Sequence, residues 1–287
     1  PRLAVLGLGR LSGSGLDYGS DLDLVLIYND QNLSSAETLR AAEMTARLAE
    51  LFVAALSSVT REGQLYRIDL RLRPDGKNGP LVSPRRVFAE YLRSRAAIWE
   101  WLAYVKLRSV GGDVDFGREV EEEARGVIHK AAAQIPADDL RRETRRVRER
   151  LEKERQAKRR DAIDIKYGAG GMLDVYFATR FLQLKDRVPD EGADRSTLRT
   201  LDRLHAAGAL AADAHRDLGE GYALLRRVDH YIRLIVGRST RLPESDHPAL
   251  RDIATRSGFT SAADLLARLA EHMGRIRHAY QSIVAGP

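Results

Sequence analysis

The first part of the chain carries the hydrophobic pattern of β-strands. Residues 3–8 and 22–28 are short aliphatic runs, and the second is rich enough in large and β-branched side chains to predict a buried strand. Residues 65–73 alternate apolar and charged side chains with period two, which predicts a third strand with Asp69 on its charged face. A Pro-Asp-Gly sequence at residues 74–76 is typical of a turn and ends this strand.

Helical patterns lie between and after these strands. Residues 34–59 are predicted to form a helix that has Ser35 as its N-cap and buries one apolar face. The predicted face consists of Leu39, Met44, Leu48, Leu51 and Phe52. A second helix is predicted over residues 84–109, and Gly111 and Gly112 end it.

From Asp113 onward the pattern is almost entirely helical. The exception is an extended segment at residues 163–167, followed by the glycine turn Gly168-Ala-Gly-Gly171. Helices are predicted at residues 172–185, 197–207, 211–236, 247–256 and 261–285. The whole pattern predicts an α+β fold, with a small mixed sheet and flanking helices in residues 1–112 and an all-helical bundle in residues 113–287.

Three carboxylates on the predicted strands form a candidate metal site. Asp21 and Asp23 lie two residues apart at the start of a buried strand, so they point to the same face. Mg²⁺ prefers oxygen ligands and is usually held by one or two carboxylates together with substrate phosphates. Asp69 would be the third carboxylate. The alternatives are a solvated acidic turn for the first pair and a local ion pair for Asp69, which has arginines on both sides.

The chain has two glycine-rich segments, and neither has a complete nucleotide-binding motif. Gly7-x-Gly9 lacks the rest of a dinucleotide-binding fingerprint, and no Gly-Lys-Ser/Thr follows Gly168-Ala-Gly-Gly171, so the latter is not a Walker A loop. The second segment precedes a helix, so its backbone is either a simple loop and cap or an anion-binding N-terminus.

Composition narrows the functional classes. The chain of 287 residues has a net charge of +6 and no cysteine, which excludes disulfides and thiolate metal sites and fits a cytoplasmic protein. No apolar run approaches the roughly 20 residues that span a membrane, so we expect no membrane association. Because the chain starts at Pro1 and enters a strand at once, we expect it to be a piece of a longer protein.

The basic charge is concentrated in residues 140–160, which hold eleven basic and four acidic residues. Only Leu140, Val147 and Leu151 form an apolar stripe there, so the pattern predicts a largely exposed helix. A solvated face is the favoured interpretation, and contact with an acidic protein or with nucleotide phosphates comes next. No aromatic residues are interleaved with the charges, which disfavours specific nucleic-acid binding.

An ordered set of motifs resembles the nucleotidyltransferase domain of bacterial glutamine synthetase adenylyltransferases, also called glutamate–ammonia-ligase adenylyltransferases. The resemblance spans nearly the whole chain. The matching segments are Leu6-Gly-Leu-Gly-Arg-Leu-Ser-Gly13, Tyr18-Gly-Ser-Asp-Leu-Asp-Leu24, Ile68-Asp-Leu-Arg-Leu-Arg-Pro74, Gly79-Pro-Leu-Val82, Trp99-Glu100, Val105-Lys-Leu-Arg108, Ile165-Lys-Tyr-Gly-Ala-Gly-Gly171, Asp174-Val-Tyr-Phe177 and Leu224-Leu-Arg-Arg-Val-Asp229.

The resemblance implies a fold and an activity. The fold would be a polymerase-β-like nucleotidyltransferase domain followed by a helical bundle. The activity would be the transfer of AMP from ATP to a tyrosine of glutamine synthetase, or its removal by phosphorolysis. The full-length enzymes carry two such copies and respond to glutamine and to the PII signal protein. The tyrosine-modifying copy is the C-terminal one, and we favour it here over the adenylyl-removing copy.

The resemblance also implies roles for individual residues. Asp21 and Asp23 would bind two Mg²⁺ ions, and Asp69 would complete the metal site and act on the incoming tyrosine hydroxyl or phosphate. The residues implied in nucleotide binding are Gly13, Ser20, Arg71, Arg73, Lys166 and Gly170.

Two departures from the family pattern keep other functions open. Ser12 stands where the family usually has glycine, and Tyr176 stands where it has glutamate. These departures would suit a catalytically weakened module that senses nucleotide, whereas the intact Asp21, Asp23 and Asp69 favour activity. A nucleotidyltransferase acting on RNA or DNA is a third alternative, which the specific motif set disfavours.

Overall fold

The computed structural model describes residues 2–13, 15–156 and 163–285. The chain divides into two compact units. The first comprises residues up to Gln134 together with Pro189–Arg195, and the second comprises Ile135–Val188 and the residues from Ser196 onward. The predicted boundary after residue 112 falls before helix α4 (Val114–Ala132), which belongs to the first unit. None of the described helices has the length and apolar character needed to cross a membrane.

The first unit is built on a small mixed sheet. Its strands β1 (Leu3–Gly7), β2 (Asp21–Tyr28), β5 (Arg67–Asp69) and β7 (Arg108–Gly112) lie in the order β5-β2-β1-β7. Strand β6 (Val82–Pro84) is parallel to the second half of β2, and β5 is parallel to its first half. A separate hairpin consists of β3 (Val59–Thr60) and β4 (Gly63–Gln64).

The two faces of β2 have different environments. Leu22, Leu24 and Leu26 lie in one hydrophobic cluster with residues of helix α1 (Ser35–Ser57). Because side chains alternate along a strand, Asp21 and Asp23 project from the opposite face. The hydrophobic alternation that buries β2 therefore also fixes the face on which its two carboxylates lie.

Helix α1 buries a different face from the predicted one. Its N-cap is Ser34, which forms a capping box with Glu37, rather than Ser35. The buried residues are small, namely Ala41, Thr45 and Ala49. Four of the five residues predicted to be buried are exposed, and they are Leu39, Met44, Leu48 and Leu51. Small residues allow the helix to lie close to the sheet, and this places the larger side chains outside.

The prediction of a single helix over residues 84–109 is also wrong in part. The segment forms β6, α2 (Arg85–Ser94), α3 (Ile98–Tyr104) and the strand β7. Helix α2 ends at Ser94, with Arg95 as its C-cap, and Glu100 caps α3 by accepting from the nitrogen of Ala97. Strand β7 forms because residues 108–112 pair with β1 and close the sheet edge, a tertiary contact that local helix-like periodicity does not show.

The second unit is helical apart from an isolated bridge between Asp164 and Arg241. Its helices are α5 (Ala137–Gln156), α6 (Met172–Lys185), α7 (Thr197–Ala206), α8 (Ala212–Ile235), α9 (Pro248–Arg256) and α10 (Ala262–Ala285). These bounds lie within a few residues of the predicted ones. The expected α+β class, a small mixed sheet with flanking helices followed by a helical region, is confirmed.

Helix α5 corresponds to the basic segment, and its exposure is less uniform than predicted. Most of its charged residues are at least partly exposed, but Arg148 is fully buried. The Arg148 guanidinium pairs with the buried carboxylate of Asp174 and donates to the carbonyl of Gly168. Residues 157–162, with three of the eleven basic residues, lie outside the described part of the chain.

Candidate active site

The pairing of β2 with β5 brings the three candidate carboxylates to one face of the sheet. The register aligns Asp21 with Arg67 and Asp23 with Asp69. Neighbouring strands are about 4.8 Å apart, and side chains at aligned positions point to the same face. Ile68 packs into the cluster on the opposite face, which is consistent with this orientation of Asp69.

Asp69 is engaged by a single arginine two residues away. Arg71 Nε lies 3.0 and 2.9 Å from the two carboxylate oxygens of Asp69, and Arg71 Nη2 lies 2.5 Å from Oδ2. The backbone nitrogen of Arg71 also donates to Oδ1 at 2.9 Å. The side-chain hydrogen bond from Arg71 is the main reason that the pKa of Asp69 is lowered, so this carboxylate is ionised at neutral pH.

The charges of all three carboxylates act on Arg71. Its pKa is raised, first by the hydrogen bond to Asp69 and the charge of Asp69, and further by the charges of Asp23 and Asp21. A cation therefore already lies in the field of the three carboxylates. In this respect the guanidinium acts as a stand-in for a metal ion at this face of the sheet.

This donor set suits a divalent metal, but the side chains are not gathered around one. Among the described residues, no three His, Cys, Asp or Glu side chains lie close enough together to hold a metal ion. Three carboxylates on one strand face supply the oxygen ligands that Mg²⁺ prefers. The register therefore fits the metal, and Asp69 would have to exchange Arg71 for it.

The loop between β1 and β2 approaches the same carboxylates. Gly9 has a φ of +57°, which strains any other residue, and a Cβ at this position would lie 2.2 Å from Asp23 Oδ2 and would force that carboxylate to move. The nitrogen of Leu8 donates to the carbonyl of Asp23 at 2.9 Å. Sequence reasoning did not assign a role to Gly9, although the Gly7-x-Gly9 pattern marked the position.

Ser20 and Gly13, two predicted nucleotide-binding residues, lie in this loop. Ser20 Oγ is shielded from solvent and makes no hydrogen bond in the structure. Such an unsatisfied buried hydroxyl is uncommon and calls for an explanation, which a bound phosphate oxygen would provide. Gly13 packs against Lys106, and its nitrogen donates to the carbonyl of Arg10 at 3.1 Å.

Arg73 makes contacts that account for its presence without a nucleotide. Its guanidinium donates to the carbonyls of Gly79, Leu70 and Lys77 and thereby closes the turn that follows β5. Its predicted role in nucleotide binding stays a prediction.

Lys166 and Gly170 belong to the second unit. Lys166 Nζ lies 5.3 Å from the ring centroid of Tyr167. The nitrogen of Gly170 donates to Asp174 Oδ2 at 2.8 Å, and a Cβ on Gly170 would lie 1.8 Å from the carbonyl oxygen of Met273. Packing against α10 is therefore sufficient to explain this glycine. The nucleotide-binding roles predicted for both residues stay predictions.

Comparison with known proteins identifies relatives along the whole chain. Residues 1–123 match the family model described as glutamate-ammonia ligase adenylyltransferase, and residues 139–284 match the model described as GlnD PII-uridylyltransferase. Curated relatives named bifunctional glutamine synthetase adenylyltransferase/adenylyl-removing enzyme come from several bacteria. The relative from Methylococcus capsulatus is 33% identical over 288 residues, covering 99% of this chain and 30% of the relative.

Two further relatives with the same name have similar statistics. The one from Xanthobacter autotrophicus is 32% identical over 288 residues, covering 98% of this chain and 28% of the relative. The one from Pseudomonas syringae pv. tomato is 30% identical over 290 residues, covering 100% of this chain and 29% of the relative. The chain thus spans somewhat under a third of the length of these relatives. On these matches, the chain belongs to the glutamate-ammonia ligase adenylyltransferase family.

Proposed function

We propose that this chain is a Mg²⁺-dependent nucleotidyltransferase segment that transfers AMP from ATP to a tyrosine of glutamine synthetase. The observation that carries the proposal is the register of β2 and β5, which aligns Asp23 with Asp69 and places Asp21 on the same face. Family membership supports AMP as the transferred group and glutamine synthetase as the target protein.

The proposed reaction is an in-line displacement at the α-phosphorus of ATP. The tyrosine oxygen forms a bond to the α-phosphorus, the bond to the bridging oxygen breaks, and pyrophosphate leaves. Two divalent ions, when bound, stabilise the attacking and leaving oxygens of such a displacement. Asp21, Asp23 and Asp69 would hold these ions. Asp69 would also receive the hydroxyl proton.

The surrounding residues would position the nucleotide. Ser20 and Gly13 belong to the β1–β2 loop, and the buried Ser20 hydroxyl can donate to a phosphate oxygen. Arg71, once released from Asp69, would neutralise developing charge on the phosphates. We keep Arg73, Lys166 and Gly170 as further candidates because the family motif includes them.

The direction of the reaction is the finer part of the proposal. The relatives are named for both transfer and removal of the adenylyl group. We favour transfer because Tyr18-Gly-Ser-Asp-Leu-Asp resembles the transferring copies more closely. Removal uses the same metals with phosphate in place of the tyrosine, so the carboxylates do not distinguish the two directions.

A weakened, nucleotide-sensing module is the second candidate, and one observation favours it. Tyr176, which replaces the family's glutamate, makes an edge contact with Phe177 at 5.4 Å between ring centroids and lies 5.4 Å from the Arg180 guanidinium carbon. A glutamate at this position would bring a negative charge near Arg180, whereas tyrosine brings none. The departure therefore removes an acidic group from the second unit and leaves the three carboxylates of the first unit unchanged.

Glutamine synthetase is the proposed protein partner. The match of residues 139–284 to a PII-uridylyltransferase model supports a further proposal, that the PII signal protein regulates the full-length enzyme. We propose no specific nucleic-acid partner, because part of the charge of α5 is neutralised internally through Arg148 and Asp174.

The test uses labelled ATP in two mixtures. The first contains the chain, Mg²⁺, ATP labelled at the α-phosphate and unmodified glutamine synthetase, and we expect label on glutamine synthetase. The second contains adenylylated glutamine synthetase and phosphate. Release of ADP in the second mixture without label uptake in the first would reverse the direction. No reaction in either mixture, despite nucleotide binding, would support the sensing module.

A further inference from the structure

A buried tyrosine holds the segment that follows Asp69. Tyr104, in helix α3, is 1% exposed, and its hydroxyl donates to the carbonyl of Leu72. That carbonyl belongs to the residue directly after Arg71. The ring of Tyr104 packs edge-on against Phe88 of α2, with 5.8 Å between the ring centroids. The hydroxyl is therefore fixed by the packing of two helices and engages the backbone beside the candidate site.

The Tyr104 hydroxyl keeps its proton. Burial raises the pKa of Tyr104 well above its ordinary value of 10.0, and the charges of Glu100 and Tyr91 raise it further. The group is therefore a neutral donor at neutral pH. Phenylalanine at this position would keep the buried ring and remove only the hydrogen bond to Leu72.

The turn after β5 is otherwise held largely by its own residues. The nitrogen of Arg73 donates to the carbonyl of Leu70 at 3.2 Å, and its guanidinium donates to the same carbonyl at 3.0 Å. The nitrogen of Gly76 donates to the carbonyl of Arg73 at 2.9 Å. These bonds hold the turn together, whereas the bond to Leu72 ties it to helix α3.

A second connection between this turn and the helices is much more exposed. Arg95 pairs with Asp75 at 2.9 Å, and each of these side chains is about half exposed, at 49% and 47%. Solvent screens such a pair, so it contributes little to holding the turn. The buried bond from Tyr104 is therefore the firmer of the two connections.

Arg71 depends on this backbone for its direction. Its side chain is 72% exposed, so packing does little to confine it. A long side chain that is not packed loses rotamer entropy when it is held in one geometry. The bonds to Asp69 hold the guanidinium now. Once a metal ion takes Asp69, the backbone on which Arg71 is mounted has to direct it.

We propose that Tyr104 is a positioning residue for Arg71. Its hydroxyl holds the backbone that directs the guanidinium at Asp69 and, when a metal ion replaces the guanidinium there, at the phosphates. The inference rests on the proposed function and adds to it a residue that touches neither nucleotide nor metal.

The first test needs no nucleotide and measures the Arg71 Nε–H resonance by NMR in the whole chain. Its loss in Arg71→Gln assigns it, and the bonds to Asp69 should separate it from the resonances of exposed arginines. Tyr104→Phe should move it toward them. Tyr91→Phe is the matched control, because it removes another buried hydroxyl, which donates to Glu100 instead of the turn. It should leave the resonance in place.

An Arg71 resonance that stays in place in folded Tyr104→Phe would overturn the proposal, and so would an equal shift in Tyr91→Phe. If Tyr104→Phe does not fold, site-specific 3-fluorotyrosine at position 104 replaces it, because fluorine strengthens the hydroxyl as a donor and keeps the ring. The Arg71 resonance should then shift, and an unshifted resonance would contradict the proposal.

The second test uses the kinetics of AMP transfer. Tyr104→Phe should lower kcat by roughly threefold to tenfold, the usual loss for one hydrogen bond. The KM for ATP should change by less than about twofold, because Arg71 is proposed to act on charge that develops in the transition state. A rise in KM with an unchanged kcat would contradict this role.

A double-mutant cycle shows whether Tyr104 acts through Arg71. In the Arg71→Gln background, adding Tyr104→Phe should lower kcat further by less than about twofold, since the residue that it positions is already gone. The same loss in both backgrounds would show that Tyr104 acts by another route, and it would overturn the proposal.

Failure of this inference can be told from failure of the proposed function. A shift of the Arg71 resonance in Tyr104→Phe, in a chain that does not modify glutamine synthetase, would leave the positioning role standing and remove the transferase. Transfer of AMP in a chain whose Arg71 resonance and kcat ignore Tyr104→Phe would do the reverse.

Discussion

Arg71 should compete with Mg²⁺ for Asp69, and its removal should therefore tighten metal binding. In the structure three donor atoms of Arg71 make four hydrogen bonds to the two oxygens of Asp69, at 2.5 to 3.0 Å. Any cation that uses Asp69 must first displace the side-chain donors. Arg71→Gln removes the competing charge and leaves the backbone donor in place.

The expected gain in Mg²⁺ affinity follows from the solvent exposure of the ion pair between Arg71 and Asp69. The Arg71 side chain is 72% exposed and that of Asp69 is 20% exposed, so the pair is largely screened by solvent. Ion pairs of this kind contribute about 0–1 kcal/mol. Removing the competitor should thus tighten Mg²⁺ binding by up to about fivefold, which corresponds to about 1 kcal/mol. The metal-free variant should lose no more than about 1 kcal/mol of unfolding free energy.

The stability loss has a defined pH dependence. The hydrogen bond from Arg71 holds the pKa of Asp69 below its ordinary value of 3.8. The pair therefore contributes its stabilisation above that ordinary pKa and loses it as the pH falls through the lowered value. The difference in unfolding free energy between the unaltered chain and Arg71→Gln should be present at pH 6 and should vanish in strong acid.

The assay is thermal melting against Mg²⁺ concentration, with calorimetry for the dissociation constant and no nucleotide present. Arg61→Gln is the matched control, because Arg61 is an exposed arginine of the same unit in the turn between β3 and β4. It makes the same change in net charge. If both variants bind Mg²⁺ equally well, the effect is one of overall charge. Weaker binding by Arg71→Gln than by the unaltered chain would refute the competition.

Three further predictions concern separate parts of the molecule. Asp23→Asn should abolish AMP transfer and leave the melting temperature unchanged or higher, because the metal-free carboxylates repel one another; a lower melting temperature would count against this. Gly170→Ala should cost about 3 kcal/mol of unfolding free energy in urea, since its Cβ meets the Met273 carbonyl; Gly208→Ala, with nearly the same φ of +71° and open space, should cost only about 1 kcal/mol. Burial holds the pKa of His129 below its ordinary value of 6.5, so the chain should lose stability as the pH falls below 6.5 and the buried imidazole has to take up a proton. His129→Gln should therefore reduce the decline of the urea midpoint between pH 7.5 and 5.5. An unchanged decline would contradict the argument.

The strands that carry the candidate site could be predicted because their pattern repeats. Side chains alternate between the two faces of β2. Asp21 and Asp23 therefore lie on the same face whichever strands pair with β2. The pairing of β5 with this part of β2 could not be read from either strand alone. It depends on the crossover through α1, and β5 itself is only three residues long. The sequence therefore indicated the face of each carboxylate, and the fold supplied the register.

The apolar face of α1 illustrates why size alone misleads. Leu48 and Leu51 are large and helically spaced, and this favoured them as core residues. Helix α1 lies close to the sheet through Ala41 and Ala49, however, because small residues permit close approach. Hydrophobic spacing predicted the face with the large side chains, and it was wrong because the face that is buried depends on the distance to the sheet, which local periodicity does not contain.

The partners of charged residues are the hardest property to read from sequence, and Asp174 shows what depends on them. It belongs to the segment Asp174-Val-Tyr-Phe177, in which Tyr176 replaces the family's glutamate. In the structure Asp174 is fully buried and is engaged by Arg148, by Arg277 at 3.1 Å and by the nitrogen of Gly170. Removing one partner of a buried ion pair costs more free energy than the intact pair contributes to stability, because the other charge is left buried without a partner. Asp174 is therefore committed to holding the glycine turn and three helices of the second unit together, and the proposed nucleotide chemistry rests on the carboxylates of the first.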